Sequence, residues 1–363
     1  MRTLFAYRRG YNPRTSVGRR VALKGRALDI FLQQIINGLT LGSVYAIVAL
    51  GYTMVYGIIQ LINFAHGEVV MIGAMVAYTV IVVLVRANTG LHPAIVVLAG
   101  LLAAIPVCMA VGYTLERVAY RPLRRAPRLA PLITAIGLSI ILQHVAMIVW
   151  SRNPLPYPQI IETVSYHITT SAGGGGATIT NVQIAIIGGS FLLMAGLLLL
   201  VYRTKLGIAM RATSQNQPVA GLMGIDINKV ISLTFVIGAA LGAVAGVMVG
   251  SYYGIAHYQM GFILGLKAFS AAVLGGIGNL AGAMLGGLLL GLIEALGAGY
   301  VGDLTNLCNL SSWSTALAQR CEQDANLTLF GSNYQDVFAF LVLIAVLIFR
   351  PSGLLGERVS DRA

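Results

Sequence analysis

Residues 30 to 84 read IFLQQIINGLTLGSVYAIVALGYTMVYGIIQLINFAHGEVVMIGAMVAYTVIVVL, an almost continuous apolar stretch broken by Gly51, Gly57 and the polar run Asn63 to Glu68. A stretch this long exceeds the ~20 residues that one membrane-spanning helix needs. A polar interruption at membrane depth is tolerated only where it is buried in protein or lines a wet cavity. This segment therefore marks a polytopic helical membrane protein with at least one broken or re-entrant element.

The rest of the chain extends that reading. It has 363 residues, of which 57% are hydrophobic and only 10% charged, too apolar a balance for soluble domains of this size. The apolar material suffices for roughly eight to ten crossings, and the long apolar runs exclude an outer-membrane barrel. Further spans are predicted at Pro93 to Leu115, Pro131 to Trp150, Val182 to Tyr202 and Val230 to Tyr252. A glycine-broken stretch follows from Phe262 to Leu296, and a last span from Asp336 to Phe349. The apolar segment after Asp29 is too long for a signal-peptide core and is expected to stay in the mature protein.

The net charge of +12 comes from 24 Lys and Arg residues against 12 acidic ones, and their placement decides its meaning. They bunch in residues 1–27 (Arg2 through Arg26), at Arg117, Arg121, Arg124, Arg125 and Arg128, at Arg203, Lys205, Arg211 and Lys229, and at Arg350, Arg358 and Arg362. Short basic connections stay cytoplasmic, so these clusters predict a cytoplasmic N-terminal extension (1–27), a cytoplasmic connection 203–229 and a cytoplasmic tail (351–363). The connections 86–92, 151–181 and 300–335 then face outward, and the permease domain spans 28–350. Residues 1–27 are expected to be disordered or to lie on the membrane surface. With both termini inside, the number of crossings is even: eight if residues 30–84 cross once with a re-entrant portion, ten if they cross three times. No basic patch interleaved with base-stacking aromatics points to nucleic acid.

Polar groups inside the apolar segments are few, and burying an ionisable one costs several kcal/mol unless it is paired or hydrated. Asn63, His66, Glu68, Lys267 and Asn279 are the candidates for lining a translocation path. Asn63, His66 and Asn279 serve equally well to fix broken helices through local hydrogen bonds, and Lys267 and Glu294 can neutralise each other. His66 and Glu68 are spaced i, i+2, which does not put two ligands on one helix face, and no HExxH or CxxC pattern is present, so no metal site is expected. The run around Asn63 to Gly67 loosely resembles Gly278 to Ala283, and similar broken segments in two halves point to a duplicated transporter. Gly242-xxx-Gly246-xxx-Gly250 and Gly282-xxx-Gly286 read as close-packing faces. No catalytic constellation, nucleotide loop or cofactor fingerprint is present, so the chain is not read as an enzyme. Energy must come from a partner chain or an ion gradient.

The connection 203–229 carries its own local code. Asn216 can cap, Pro218 suits a first helical turn, Val219, Leu222 and Met223 form a short apolar face, and Gly224 can end the helix. This predicts a two-turn amphipathic helix that docks into a partner, since the preceding polar run Thr213 to Gln217 lacks basic residues for lipid.

Long stretches resemble the LivH-type permease of binding-protein-dependent branched-chain amino-acid ABC importers: Gln34 to Met75, Glu116 to Pro122, Leu233 to Ala240 and Lys267 to Gly278, within a likeness running from about Leu28 to Gly356. The resemblance implies a subunit of an ATP-driven importer for leucine, isoleucine and valine in the bacterial inner membrane. It implies as partners a LivM-like second permease, two cytoplasmic ATPases and a periplasmic amino-acid-binding protein, with no cofactor in this chain. It also assigns the ATPase-coupling element to Arg211, Gln215, Asn216, Pro218, Val219, Leu222, Met223, Gly224 and Ile225. Here Gln215-Asn216 lacks the acidic residue often found in relatives, and the basic extension and the enlarged loop at 302–332 depart from the family pattern. Urea, short amides or other amino acids are alternative cargoes, and an ion-coupled secondary transporter using Glu68 or Lys267 is the reading from a different class. In the enlarged loop Cys308 and Cys321 could form a disulfide on the oxidising side.

Overall fold

The computed structural model describes residues 13–88, 90–124, 126–127, 129–169, 176–301, 335–350 and 352–356, with side chains from Leu28 onward. The helices are α1 (Pro13–Ile59), α2 (His66–Arg86), α3 (Pro93–Thr114), α4 (Arg121–Leu123), α5 (Leu129–Val149), α6 (Asn181–Arg203), α7 (Lys205–Gln215), α8 (Gln217–Leu222), α9 (Ile227–Tyr253), α10 (Met260–Gly275), α11 (Leu280–Leu296) and α12 (Gln335–Phe349). A π-helical turn, Leu115–Tyr120, joins α3 to α4, and a second, Gly297–Val301, ends α11. Among the described residues seven helices are long and apolar enough to cross a membrane, and the shorter apolar helices Met260–Gly275 and Asp336–Phe349 add two. The chain is a polytopic helical membrane protein.

Local chemistry explains where the helices start. Thr180 and Gln183 form a reciprocal capping box on α6, Thr204 caps α7, Asn216 caps α8, Asp226 caps α9 and Asn279 caps α11. Each side-chain oxygen accepts a backbone N–H that has no partner inside the helix.

Helix packing is set by missing side chains. Two glycines of α11 face α1: a Cβ at Gly287 would lie 2.4 Å from the Ala46 Cα, and one at Gly291 would lie 2.2 Å from the Gly42 nitrogen. The Gly246 Cβ would meet the Val70 carbonyl oxygen at 2.2 Å, and that of Gly286 the Ala271 carbonyl oxygen at 2.1 Å. Close backbone approach through small residues is how helices associate where lipid removes the hydrophobic driving force. Both glycine runs therefore pack helices, as their spacing predicts.

The contacts order the helix ends. Ile58, at the end of α1, accepts from Gln217 Nε2 in α8, and Gly57 faces Gly278 between α10 and α11. Leu354 and Leu355, beyond α12, donate their N–H groups to the carbonyls of Leu274 and Gly275. These segments share one end of the bundle with Arg121, Arg124, Arg203, Lys205, Arg211, Lys229 and Arg350, here called the basic end. At the opposite end Gln33 accepts from the Thr178 N–H, and Gly299 packs on Gln34.

That opposite end also holds the strands. β1 (Leu155–Pro156) pairs antiparallel with β4 (Ile255–Ala256), Leu155 opposite Ala256, and β2 (Ser165–Thr169) pairs with β3 (Gly176–Thr180), Ser165 opposite Thr180.

The crossing number differs from expectation. Neither Gly51 nor Gly57 interrupts α1, so residues 30–84 cross once as α1 and return as the break 60–65 plus α2, a two-pass arrangement rather than one or three. Leu28 therefore lies at the end opposite Leu354, and the described helices make an odd number of passes. The even count rested on placing the basic residues 1–27 on the same side as the other clusters. The α1 backbone is helical from Pro13, inside the segment expected to be disordered or surface-bound. Cys308, Cys321 and the enlarged loop lie outside the described residues.

Candidate functional site

The break between α1 and α2 holds three of the predicted site residues, all buried. Asn63 accepts from the Tyr120 hydroxyl at 2.8 Å, and its backbone carbonyl accepts the His66 N–H that opens α2. The His66 ring occupies a niche made by glycines: a Cβ on Gly51 would lie 2.2 Å from Nε2, and those of Gly238 and Gly242 would fall within 3.8 Å of Cε1. Tyr52 closes the niche edge-on, its ring centroid 4.9 Å away. Two residues on, Glu68 Oε1 accepts from Ser139 Oγ at 2.9 Å and Gln143 Nε2 at 2.8 Å, both on α5. No ion pair to Glu68 occurs among the described residues, so these neutral donors hold it.

The second break serves a different local role. Asn279 Oδ1 accepts from the Gly282 N–H and its Nδ2 donates to the Leu355 carbonyl, so the side chain caps α11 and ties the segment after α12 to the turn. Gly276 and Gly278 hold φ of +105° and +99°, a backbone that side-chain-bearing residues avoid.

Lys267 and Glu294 come together. Lys267 Nζ lies 2.7 Å from Glu294 Oε1 and 2.5 Å from Asp336 Oδ1, while Tyr45 donates to Glu294 Oε2 at 3.0 Å. The four groups staple α1, α10, α11 and α12. Lys267 thus has two carboxylate partners.

At the basic end the predicted short helix is present as α8. Asn216 Oδ1 accepts from the Val219 N–H at 3.1 Å, Pro218 sits in the first turn, and Gly224 takes a φ of +83°. Ala220 is buried toward the bundle, while Val219, Leu222 and Met223 point away, Leu222 with 87% of its surface exposed. The Ile225 N–H returns to the Ala220 carbonyl, Gln215 is exposed, and the Arg211 guanidinium lies over the Tyr202 ring at 5.2 Å. The preceding helix α7, whose last residues belong to the polar run Thr213 to Gln217, packs against α1, α6 and α9. A cavity of about 90 Å³ lies between α7, the end of α1 and the turn at Gly278, lined by Thr53, Gly57, Met210, Arg211, Ser214 and Gly278 among others.

Two features escaped the sequence reading. Glu116, fully buried in the π-turn, pairs with Arg124 and accepts from Ser232 Oγ at 2.5 Å. At the opposite end a cavity of about 870 Å³, lined by Leu101, Ile160, Ile186, Met248 and Tyr252 among others, opens between α3, α6 and α9 and contains none of the predicted residues.

The family model for the branched-chain amino acid transport system permease component matches residues 34–347. The chain is 46% identical over 327 residues to the high-affinity branched-chain amino acid transport system permease protein BraD of Pseudomonas aeruginosa, covering 90% of this chain and 96% of that protein. It is 42% identical over 329 residues, with the same coverage, to the permease protein LivH of the corresponding Escherichia coli system. A probable branched-chain amino acid transport permease of Methanocaldococcus jannaschii is 26% identical over 341 residues, 90% of this chain and 94% of that one. No solved structure is significantly similar to it. With matches that run from α1 to α12, the chain belongs to the branched-chain amino acid transport system permease family.

Proposed function

We propose that the chain forms half of the membrane pathway of an ATP-driven importer for leucine, isoleucine and valine in the bacterial inner membrane. The basic end faces the cytoplasm, since short Lys- and Arg-rich connections are retained there. A second permease similar to LivM completes the pathway, two ATPases hydrolyse ATP beneath it, and a periplasmic binding protein delivers the amino acid. The names of the relatives support the cargo.

The observation that carries the coupling role is the tip of α8. Leu222 and Met223, 87% and 79% exposed, form an apolar knob at the basic end, held by a capped helix whose Gln217 grips the end of α1. Such a knob fits a groove in a partner, as an apolar helix face does. ATP-driven closure of the ATPases would move α7 and α8, which hold the end of α1 just before the first break, and so switch the pathway between outward and inward access. Asn63, His66 and Glu68 line or shape that route, and Asn279 shapes its second break. Lys267 contributes through the ion cluster that holds the α10–α11 hairpin. The two breaks correspond as halves of a duplicated permease.

The test is Leu222→Asp in the reconstituted complex. Expected is loss of ATPase binding and of ATP-dependent leucine uptake; normal assembly and uptake would overturn the assignment. Uptake that follows a proton or sodium gradient in the absence of ATPases would overturn the importer class itself.

A further inference from the structure

We propose that the π-turn Leu115–Tyr120 is the transmission element between the coupling helix and the broken segment at residues 60–65. This rests on the reading of α8 as the ATPase contact.

On one side of the turn, hydrogen bonds lead toward α8. The Ile225 N–H bonds back to Ala220, and Asp226 caps the first turn of α9 through the Lys229 N–H, so α8 and the start of α9 form one unit. That unit presents Asn228 and Ser232. Asn228 Oδ1 accepts from Arg124 Nη1 at 2.8 Å, Arg124 pairs with Glu116, and Ser232 Oγ donates to Glu116 Oε2. A carboxylate fully removed from solvent in a membrane chain is costly unless paired. This one is held jointly by the corner after α3 and the start of α9.

On the other side, the turn leads into the bundle. The hydroxyl of Tyr120, its last residue, donates to Asn63 Oδ1 at 2.8 Å, and the Tyr120 ring packs against Phe235 at 5.2 Å. Asn63 in turn accepts the N–H of His66, the first residue of α2. A contiguous path therefore runs from α8 through α9, Glu116 and the π-turn to Tyr120, Asn63 and α2.

The turn geometry supplies what a relay needs. A continuous α-helix transmits a push along its axis but has one hydrogen-bond register. A π-turn carries one extra residue, and moving that residue along the helix changes the direction in which each side chain points. Coupling between distant sites needs such an element with two discrete arrangements, biased from both ends. Glu116 and Tyr120 are the two handles.

The experiment uses the full importer in proteoliposomes, with labelled leucine uptake and ATP hydrolysis measured together. Ser232→Ala and Tyr120→Phe each remove one hydroxyl, at opposite ends of the turn. Each is expected to lower leucine moved per ATP hydrolysed by about threefold to tenfold, the worth of one hydrogen bond. The double variant is expected to fall no further than the worse single one, because both act along one path, and Ser232→Thr to restore the ratio. Unchanged ratios, effects that multiply in the double variant, or a parallel loss of uptake, hydrolysis and complex assembly in both single variants would overturn the relay. Wild-type uptake that does not need the ATPases would instead overturn the reading on which it rests.

Discussion

Replacing Lys267 by Met tests the ion cluster that joins four helices. The substitution keeps a long unbranched side chain but removes the ammonium that lies 2.7 Å from Glu294 and 2.5 Å from Asp336. Side-chain exposure is 8% for Lys267, 1% for Glu294 and 43% for Asp336, so the two contacts differ in weight. Breaking a buried pair from one side costs about 3–5 kcal/mol, because the remaining charge stays buried. The half-exposed Asp336 contact adds about 0–1 kcal/mol after screening by solvent. Glu294 would keep only the Tyr45 hydroxyl. At about 2 °C per kcal/mol for a chain of this size, the thermal midpoint in lipid nanodiscs should fall by about 6–12 °C. Lys267→Met with Glu294→Gln should recover part of that loss, since the orphaned charge is gone. A single variant that melts within about 2 °C of the wild type, or a double variant less stable than Lys267→Met, would refute the cluster as a staple. A double variant that regains stability but moves no leucine would return Lys267 to the translocation path.

Other outcomes follow from the packing and the caps. Gly291→Val places a branched side chain where even a Cβ meets the Gly42 nitrogen at 2.2 Å, so it should separate α1 from α11 and lower the yield of folded protein, with overpacking of about 1–3 kcal/mol or more. Asn216→Ala removes the α8 cap and should cost about 1 kcal/mol of local stability, seen as faster amide exchange at Val219 and Ala220. Asp226 holds its carboxyl below the usual range, first through the Lys229 N–H. A depressed folded value stabilises above the unfolded pKa of about 3.9 and is lost as pH falls below it; Asp226→Asn should flatten that acid limb in a melting-versus-pH series. If Cys308 and Cys321 are bonded, neither is alkylated without reductant in protein from native membranes.

The sequence announced its membrane class through long apolar runs, and α8 through local signals. Asn216, Pro218 and Gly224 each act within a turn of their own position, so their roles are readable without the fold. The number of passes was not readable in that way. Hydropathy shows that residues 30–84 can cross, but Gly51 and Gly57 look like breaks and interrupt nothing: Gly51 is a clearance for the His66 ring, and Gly57 stands in the helix beside Gly278. Once α1 runs unbroken, Leu28 starts at the end opposite Leu354, while every later connection keeps the end that its charge predicts.

The site divides along the same physical line. Lys267 and Glu294 were readable as partners because both are ionisable groups in apolar segments, where an unpaired charge is costly. Asp336 was not, since it opens α12 far along the chain and meets Lys267 only in three dimensions. Glu116 stood inside a stretch shared with the permease family, and Arg124 was counted as a charge that orients the chain. Their pairing gives both residues a second meaning: Arg124 faces Asn228 at the start of α9 while its carboxylate partner sits in the π-turn. On the proposed topology and relay, one positive charge at the basic end would set topology during insertion and transmit force afterwards. The prediction that separates these roles is Arg124→Lys, which keeps the charge that orients the chain but not the fork that reaches Glu116 and Asn228 together. Insertion should stay normal while leucine moved per ATP falls; normal coupling would leave Arg124 with topology alone.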